Sequence, residues 1–350
     1  MKKFLILVLV SLFYSSFAWA ETFTEKQTPG DGDTVTVDSG DTYYYNNSKT
    51  FEIEDHSNVT LTNNGNIMAH PFPDTPTEMV GQAKNYTIDA SGSSSSNFTL
   101  TNNGTIWAGE QTVIDLRDAT GTITVTNNAG AIIASGERRS SSHEHGLLNL
   151  TSAGSSGDTI TITNHGTIQN VARNYATIGI DSMTSGAIVN FTNTGTIRQG
   201  TNTFGYNSRY NTNVDAQSST DEINFTNSGT IQSARRVLAL GGSTNFTLTN
   251  SGTIKEDGYG VDYPELTSFG KFNVSDGNAP ITHDYSTIQV GISGSGATII
   301  NSGTISAAGG NNHAITIGDN DANEAHSNAT IENSGTISAG SGDFGRAIII

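Results

Sequence analysis

The chain has 350 residues, 33 of them acidic against 16 basic, a net charge of −17 and no cysteine. Such a surface repels phosphate backbones and excludes nucleic acid as a partner, and a chain without cysteine has neither disulfides nor thiolate-held metal to stabilise it. With 39 glycines and 34% hydrophobic residues, a thick globular core is excluded as well, so stability must come from a thin core used repeatedly.

The first twenty residues read as a targeting segment. Lys2-Lys3 precede an apolar run from Phe4 to Phe13, and Ala18-Trp19-Ala20 forms an A-x-A cleavage site. The run is shorter than the 18 or so apolar residues of a membrane span, so residues 1–20 are expected to be a signal peptide, with a mature chain beginning at Glu21. Residues 21–58 are less regular, with an alternating strand at Thr34-Val-Thr-Val37 and an aromatic cluster at Tyr43-Tyr44-Tyr45. They are expected to form an N-terminal cap, because the terminal unit of a repeat array has one face in water. A sugar-binding platform is the functional alternative for the tyrosines.

From residue 59 onward one nine-residue phrase recurs nine times. The copies run Val59–Ile67, Phe98–Ile106, Ile123–Ile132 with one extra residue, Ile160–Ile168, Val189–Ile197, Ile223–Ile231, Phe246–Ile254, Ala297–Ile305 and Ala329–Ile337. Each reads apolar, polar, apolar, polar, Asn, any residue, Gly, usually Thr, Ile. The first half alternates with the period of two that sends successive side chains to opposite faces of a strand. Asn-x-Gly then supplies a corner, with the glycine expected at positive φ, and Thr-Ile opens the next strand. The phrase asparagines are Asn63, Asn102, Asn127, Asn164, Asn193, Asn227, Asn250, Asn301 and Asn333; the corner glycines are Gly65, Gly104, Gly130, Gly166, Gly195, Gly229, Gly252, Gly303 and Gly335.

Successive phrase asparagines are separated by 23 to 51 residues. A propeller needs blades of nearly constant length, whereas a solenoid carries loops of any length at its corners. The shortest gap, from Asn227 to Asn250, holds Thr230-Ile231, Val237-Leu-Ala-Leu240 and the next approaching strand, which leaves room for three short strands and no helix. Comparable middle strands appear at Val113–Leu116, Leu147–Leu150, Ile178–Ile180, Ile288–Ile292 and Ala314–Ile317. These features predict an all-β chain whose residues 59–350 form a right-handed parallel β-helix of about nine or more coils, stacked about 4.8 Å apart. Recurring asparagines would then lie above one another in a hydrogen-bonded ladder.

Three excursions interrupt the coils: residues 68–92 with Pro71, Pro73 and Pro76, residues 198–220 with Phe204, Tyr206 and Tyr210, and residues 255–287 with Tyr259, Tyr263, Phe269, Phe272 and Tyr285. Loops on a rigid scaffold commonly carry binding function. Groups with catalytic or metal-binding character are sparse. His143-Glu144-His145 offers two ligands without a third, and the pairs Asp31/Asp33 and Asp319/Asp321 lie outside any calcium-binding repeat. Asp115 and Arg117 would share one strand face with Asp118 on the other, which splits the convergent carboxylates a glycan-cleaving site needs. The chain is therefore expected to be no enzyme and to need neither metal nor cofactor. Outward threonines suggest an ice-binding face, but insertions of such unequal length argue against a regular one.

Taken together, the signal peptide, the missing cysteines, the acidic charge and the repeated Asn-Ser/Asn-Gly-Thr-Ile resemble the passenger region of a Gram-negative autotransporter, over residues 1–350. That resemblance implies export through the periplasm to the outer-membrane surface or extracellular space. It also implies a C-terminal outer-membrane barrel in the full-length protein, which nothing here supplies, and Ala347-Ile348-Ile349-Ile350 is expected to be a middle strand interrupted within its coil. Many such passengers are adhesins, so the expected partner is a host or bacterial surface glycan or protein. A glycan-active enzyme and a structural spacer are the alternatives.

Overall fold

The computed structural model describes residues 20–45, 49–69, 86–108, 112–135, 146–170, 176–180, 186–199, 212–216, 222–233, 236–240, 245–257, 286–290, 297–308, 312–317, 329–342 and 345–349. Residues 1–19 of the expected signal peptide, the His143-Glu144-His145 cluster, Asp319, Asp321, Pro71, Pro73, Pro76, and the aromatic residues named for the second and third excursions lie outside them. Among the described residues there is no helix, and the strands form three long sheets in which every pairing is parallel. The chain is a parallel β-helix. Its strands are named here by their place in the phrase: an approach strand leads into Asn-x-Gly, an exit strand leaves it, and a middle strand precedes the next approach. The approach sheet has ten strands from Thr34–Val37 to Thr330–Asn333, the exit sheet eleven from Thr22–Phe23 to Thr336–Ser338, and the middle sheet ten from Ile348–Ile349 to Phe51–Glu52. At about 4.8 Å per coil, the ten intervals of the exit sheet make a rod roughly 48 Å long.

Register follows from the alternation, because slipping a strand by one residue would turn its whole apolar set to solvent. In the approach sheet Ile160 pairs with Val189, Ile162 with Phe191 and Asn164 with Asn193, and the burial of Thr159–Asn164 alternates strictly between half-buried and buried. The exit strands stack Ile67, Ile106, Ile133, Ile168, Ile197, Ile231, Ile254 and Ile305 in one column, all at most 1% exposed. The middle strands add Phe51, Ile88, Ile114, Leu148 and Ile178. Stacking also brings like rings together, with Phe191 and Phe225 face to face at 4.5 Å between centroids.

Residues 22–52 supply the lowest strands of all three sheets. Tyr43 pairs with Ile67 and joins the inward column, its ring stacked on Phe23 at 4.2 Å. Phe23 thus continues the column below the tyrosines. Tyr44 packs instead against a small second cluster of Met68, Trp107 and Ala134 on the outside of the exit sheet.

Chain length varies very unevenly among the three corners. Approach and exit strands are joined by two residues in eight of ten passages. Middle and approach strands are joined by four residues between Leu240 and Asn245 and by twelve between Ile317 and Thr330. Exit and middle strands are joined by two between Ser233 and Arg236 and by 29 between Glu256 and Ser286. The Asn-x-Gly corner is kept short because it is itself part of the hydrogen-bond ladder: Thr253 N–H donates to Gly229 O at 2.9 Å, and Ser251 N–H to Asn227 O at 2.8 Å.

Candidate functional site

The phrase asparagines form an unbroken ladder. Each side-chain amide donates to the carboxamide oxygen of the asparagine one coil above, from Asn63 to Asn102 to Asn127 to Asn164 to Asn193 to Asn227 to Asn250 to Asn301 to Asn333, at 2.7–2.8 Å. The amide of Asn227 also reaches Gly229 O and Thr253 O, both at 3.3 Å. Eight of the nine are at most 1% exposed, while Asn333, on the last approach strand, is exposed. Burial of so many amides is tolerable because each finds partners above, below and within its own corner.

The corner glycines require a correction. Gly65, Gly104, Gly166, Gly195, Gly229, Gly252, Gly303 and Gly335 are absent from the residues with positive φ, which include only Gly130 of the predicted set. Their reason is close approach. A Cβ on Gly252 would lie 2.1 Å from Gly229 O, and one on Gly104 would lie 2.0 Å from Gly65 O. The same holds at 2.1 Å for Gly195 and Gly303 against Gly166 O and Gly252 O. A Cβ would lie 2.1 Å from Gly195 O if added at Gly229, 2.2 Å from Gly303 O at Gly335, 2.3 Å from Ala131 O at Gly166, and 2.4 Å from Asp41 O at Gly65. Left-handed backbone is used elsewhere, chiefly at the corner after the middle strand, where Asn58, Asn97 and Asp118 have φ of 59°, 55° and 59°.

Gly130 stands outside the column. Pairing places Ile132 opposite Thr105 and Ile133 opposite Ile106, so this copy carries two extra residues and its last isoleucine is Ile133. Ala131 takes the column position, its carbonyl accepting from Thr167 N–H at 2.9 Å. Gly130 has φ of 83° with open space around its Cβ position. Gly130→Ala is therefore expected to cost only about 1 kcal/mol, from backbone conformation alone, and Gly130→Asn less, measurable as melting temperatures.

Among the described residues the densest group of charged side chains lies on the outer face of the middle sheet. Glu52, Asp89, Asp115 and Asn149 occupy successive coils in register, each next to an inward Phe51, Ile88, Ile114 or Leu148. Asp89 is 2% exposed, and Asp115 and Asn149 are fully buried. Lys49 Nζ bonds Asp89 at 2.6 Å and also pairs with Glu54 and Glu52. Asp115 Oδ2 accepts from Arg117 at 2.7 Å, and its Oδ1 accepts from Asn149 at 2.8 Å and from Arg117 N–H at 3.2 Å. Arg117 also donates to Tyr86 Oη at 3.2 Å and lies over its ring. Burial pushes the Asp115 carboxyl above its ordinary value, against the lowering effect of Arg117 and with some help from the negative Asp89. Burial acts downward on Lys49, but its bonds to Asp89 and Glu54 outweigh it and raise the ammonium. The hydrogen bond from Lys26 draws Glu52 down.

This arrangement holds its charges against one another. Both oxygens of Asp115 are occupied by donors, and Asp118 lies on an exposed corner away from them. Sequence reasoning found Asp115 with Arg117 and missed Asp89, Lys49 and Asn149. The signal was a recurring apolar-Asx-apolar triplet, Ile88-Asp89-Ala90, Ile114-Asp115-Leu116 and Leu148-Asn149-Leu150, which the phrase alignment did not cover. Asp31 accepts from Ser57 N–H and Oγ, while Asp33 accepts from Gly30 N–H. Among the described residues no three His, Asp or Glu side chains converge as metal ligands would.

Arg117→Leu is expected to cost about 3 kcal/mol at neutral pH, because it leaves Asp115 buried and unpaired. The folded pKa of Asp115 is already raised above the usual 3.8, and losing Arg117 raises it further. The folded state then takes up a proton more readily than the unfolded one, so the deficit should shrink as pH falls through the raised value and grow again as pH rises. Urea melts of both proteins between pH 7 and 4 check this. No protein-family model matches the chain, and no curated protein or solved structure matches it either.

Proposed function

We propose that this chain is the passenger region of an autotransporter, acting as a surface-exposed adhesin or cell-surface interaction scaffold whose full-length form carries a C-terminal outer-membrane barrel. The observation that supports the reading best is the division of chain length among the corners. The Asn-x-Gly corner is kept at two residues in eight of its nine copies, while the passage from exit to middle strand ranges from 2 to 29. A rod built this way keeps a constant frame and varies what it displays along one edge, which suits a protein that presents binding segments at a distance from a membrane. The partner is a glycan or protein of a host or bacterial surface.

The test is retention of the full chain on host cells, on bacterial cells and on a glycan array, run beside a lyase and hydrolase assay on the same polysaccharides. Saturable retention without cleavage is expected. Cleavage of any polysaccharide would replace this reading with the glycan-active alternative, and retention on none of the surfaces would leave the structural spacer. Protease treatment of intact cells producing the full reading frame checks location: the repeat region should be degraded while cytoplasmic proteins survive.

A further inference from the structure

The approach sheet differs from the other two in what its outer face presents. On the exit sheet the outward residues Met68, Trp107, Ala134 and Gln169 are at most 2% exposed and leave one half-buried column, Thr105, Ile132, Thr167, Thr196 and Thr230 among it, while on the middle sheet Asp89, Asp115, Asn149 and Ala239 are equally buried and Glu52 and Gln289 half-buried. The outward residues of the approach strands are half-buried or exposed along the rod. Two columns run the length of the sheet, and the six-residue strands add a third that holds Thr122, Thr159, Ile188, Glu222 and Asn245. In the five strands from Thr34–Val37 to Thr159–Asn164 every position of both columns is threonine. One column is Thr34, Thr60, Thr99, Thr124 and Thr161, the other holds the threonines two places on, and pairing is residue for residue without a bulge. Farther up the columns are mostly threonine but include Asn190, Asn224, Ile300 and, on the last strand, Glu332.

Unequal insertions counted against a regular face when only the spacing of the phrase was in view. The strands remove that objection, since the longest insertions fall between exit and middle strands and none falls within an approach strand. Within these five strands the array holds no charged residue, although 14% of the chain is charged, and no aromatic ring of the kind that stacks on sugar faces. Threonine is β-branched and stiff about χ1, so its hydroxyl and methyl groups are held in place before anything binds. Along the rod they repeat at the coil spacing of about 4.8 Å. Tetrahedrally hydrogen-bonded water, with oxygens about 2.75 Å apart, places its next-nearest oxygens about 4.5 Å apart. The mismatch of about 0.3 Å per coil accumulates to roughly 1.2 Å over five coils, still under half a repeat.

We propose that the outer face of the approach sheet binds ice. The five-strand threonine array, which carries the binding, is uncharged, free of aromatic rings and repeats at nearly the spacing of an ordered water lattice, which favours ice over a sugar polymer. This inference is independent of any adhesive role carried by the corners. The test is ice growth in the presence of the purified full chain, read as crystal shaping, thermal hysteresis and inhibition of recrystallisation, with microcrystalline cellulose as a second surface. Shaped crystals and slowed recrystallisation are expected from the unaltered chain. Thr101→Lys with Thr126→Lys, in the middle of the array, is expected to raise the concentration needed by at least tenfold. Thr60→Tyr with Thr99→Tyr, which roughens the neighbouring column without adding charge, should do the same. Thr196→Lys with Thr230→Lys, on the exit sheet, should leave the activity unchanged. Circular dichroism and melting curves establish that each variant is folded. The proposal is overturned if the folded chain leaves ice growth unaltered, if the folded approach-sheet variants match it, if the exit-sheet pair loses activity equally, or if the chain is retained on cellulose without acting on ice.

Discussion

Gly252→Ala is expected to lower stability by about 3 kcal/mol, at the upper end of what overpacking a close contact costs, and Gly252→Val by at least as much. The first carbon of any side chain at this position would sit 2.1 Å from Gly229 O and 2.6 Å from the carbonyl carbon of Ser228. Both are backbone atoms of the coil below, which cannot rotate away. Moving the coils apart would stretch the bond from Thr253 N–H to Gly229 O, now 2.9 Å, and every pairing beyond it. Ser251→Val, one residue earlier on an exposed position, is expected to stay within about 0.5 kcal/mol. Gly252→Asn separates close approach from positive φ. Asparagine tolerates left-handed backbone and would rescue a conformational defect, but its Cβ meets Gly229 O as alanine's does. Melting temperatures of the four variants decide the matter, and an Asn variant as stable as the unaltered chain would refute the close-approach account.

Asn227→Leu is the second large effect, expected at about 3–5 kcal/mol. The substitution leaves the Asn193 amide without its acceptor at 2.7 Å and the Asn250 oxygen without its donor at 2.7 Å. Thr253 O and Gly229 O also lose a donor. Each buried polar group left unpaired costs about 1–3 kcal/mol, and residues in one network do not contribute additively. Asn333→Leu is expected to have a small effect, since its side chain is exposed and the ladder ends there. Asn227→Asp keeps an acceptor for Asn193 but turns a carboxylate toward two carbonyls. Its folded pKa should be pushed above the unfolded value, so its stability deficit should lessen as pH falls and a proton restores one donor. Chemical melts at pH 7 and pH 4 would show this, and an Asp variant indifferent to pH would contradict the ladder as the source of the effect.

Much of this molecule is legible along the chain because its units are short and repeated. Alternation in Ile160-Thr-Ile-Thr-Asn164 sorts inside from outside within one strand, and that sorting survives stacking since any register slip would expose the isoleucines. Three strands per coil follow from the 23 residues between Asn227 and Asn250, too few for a helix as well. The copy after Ile123 is where this reading erred. Ile132 and Ile133 are adjacent apolar residues, and only pairing with Thr105 and Ile106 shows which of them faces the core.

The sequence by itself determined the strand alternation, the solenoid class and which asparagine follows which in the ladder, because each depends on the side-chain order of a single short strand. The tertiary structure alone decided why the corner residue is glycine, which charges share the middle sheet, and that one threonine face runs unbroken across five strands. Those are properties of the distance between coils. Gly229 and Gly252, or Asp89 and Asp115, are brought side by side by stacking, whatever number of residues separates them along the chain, so no local pattern around either partner records the neighbour.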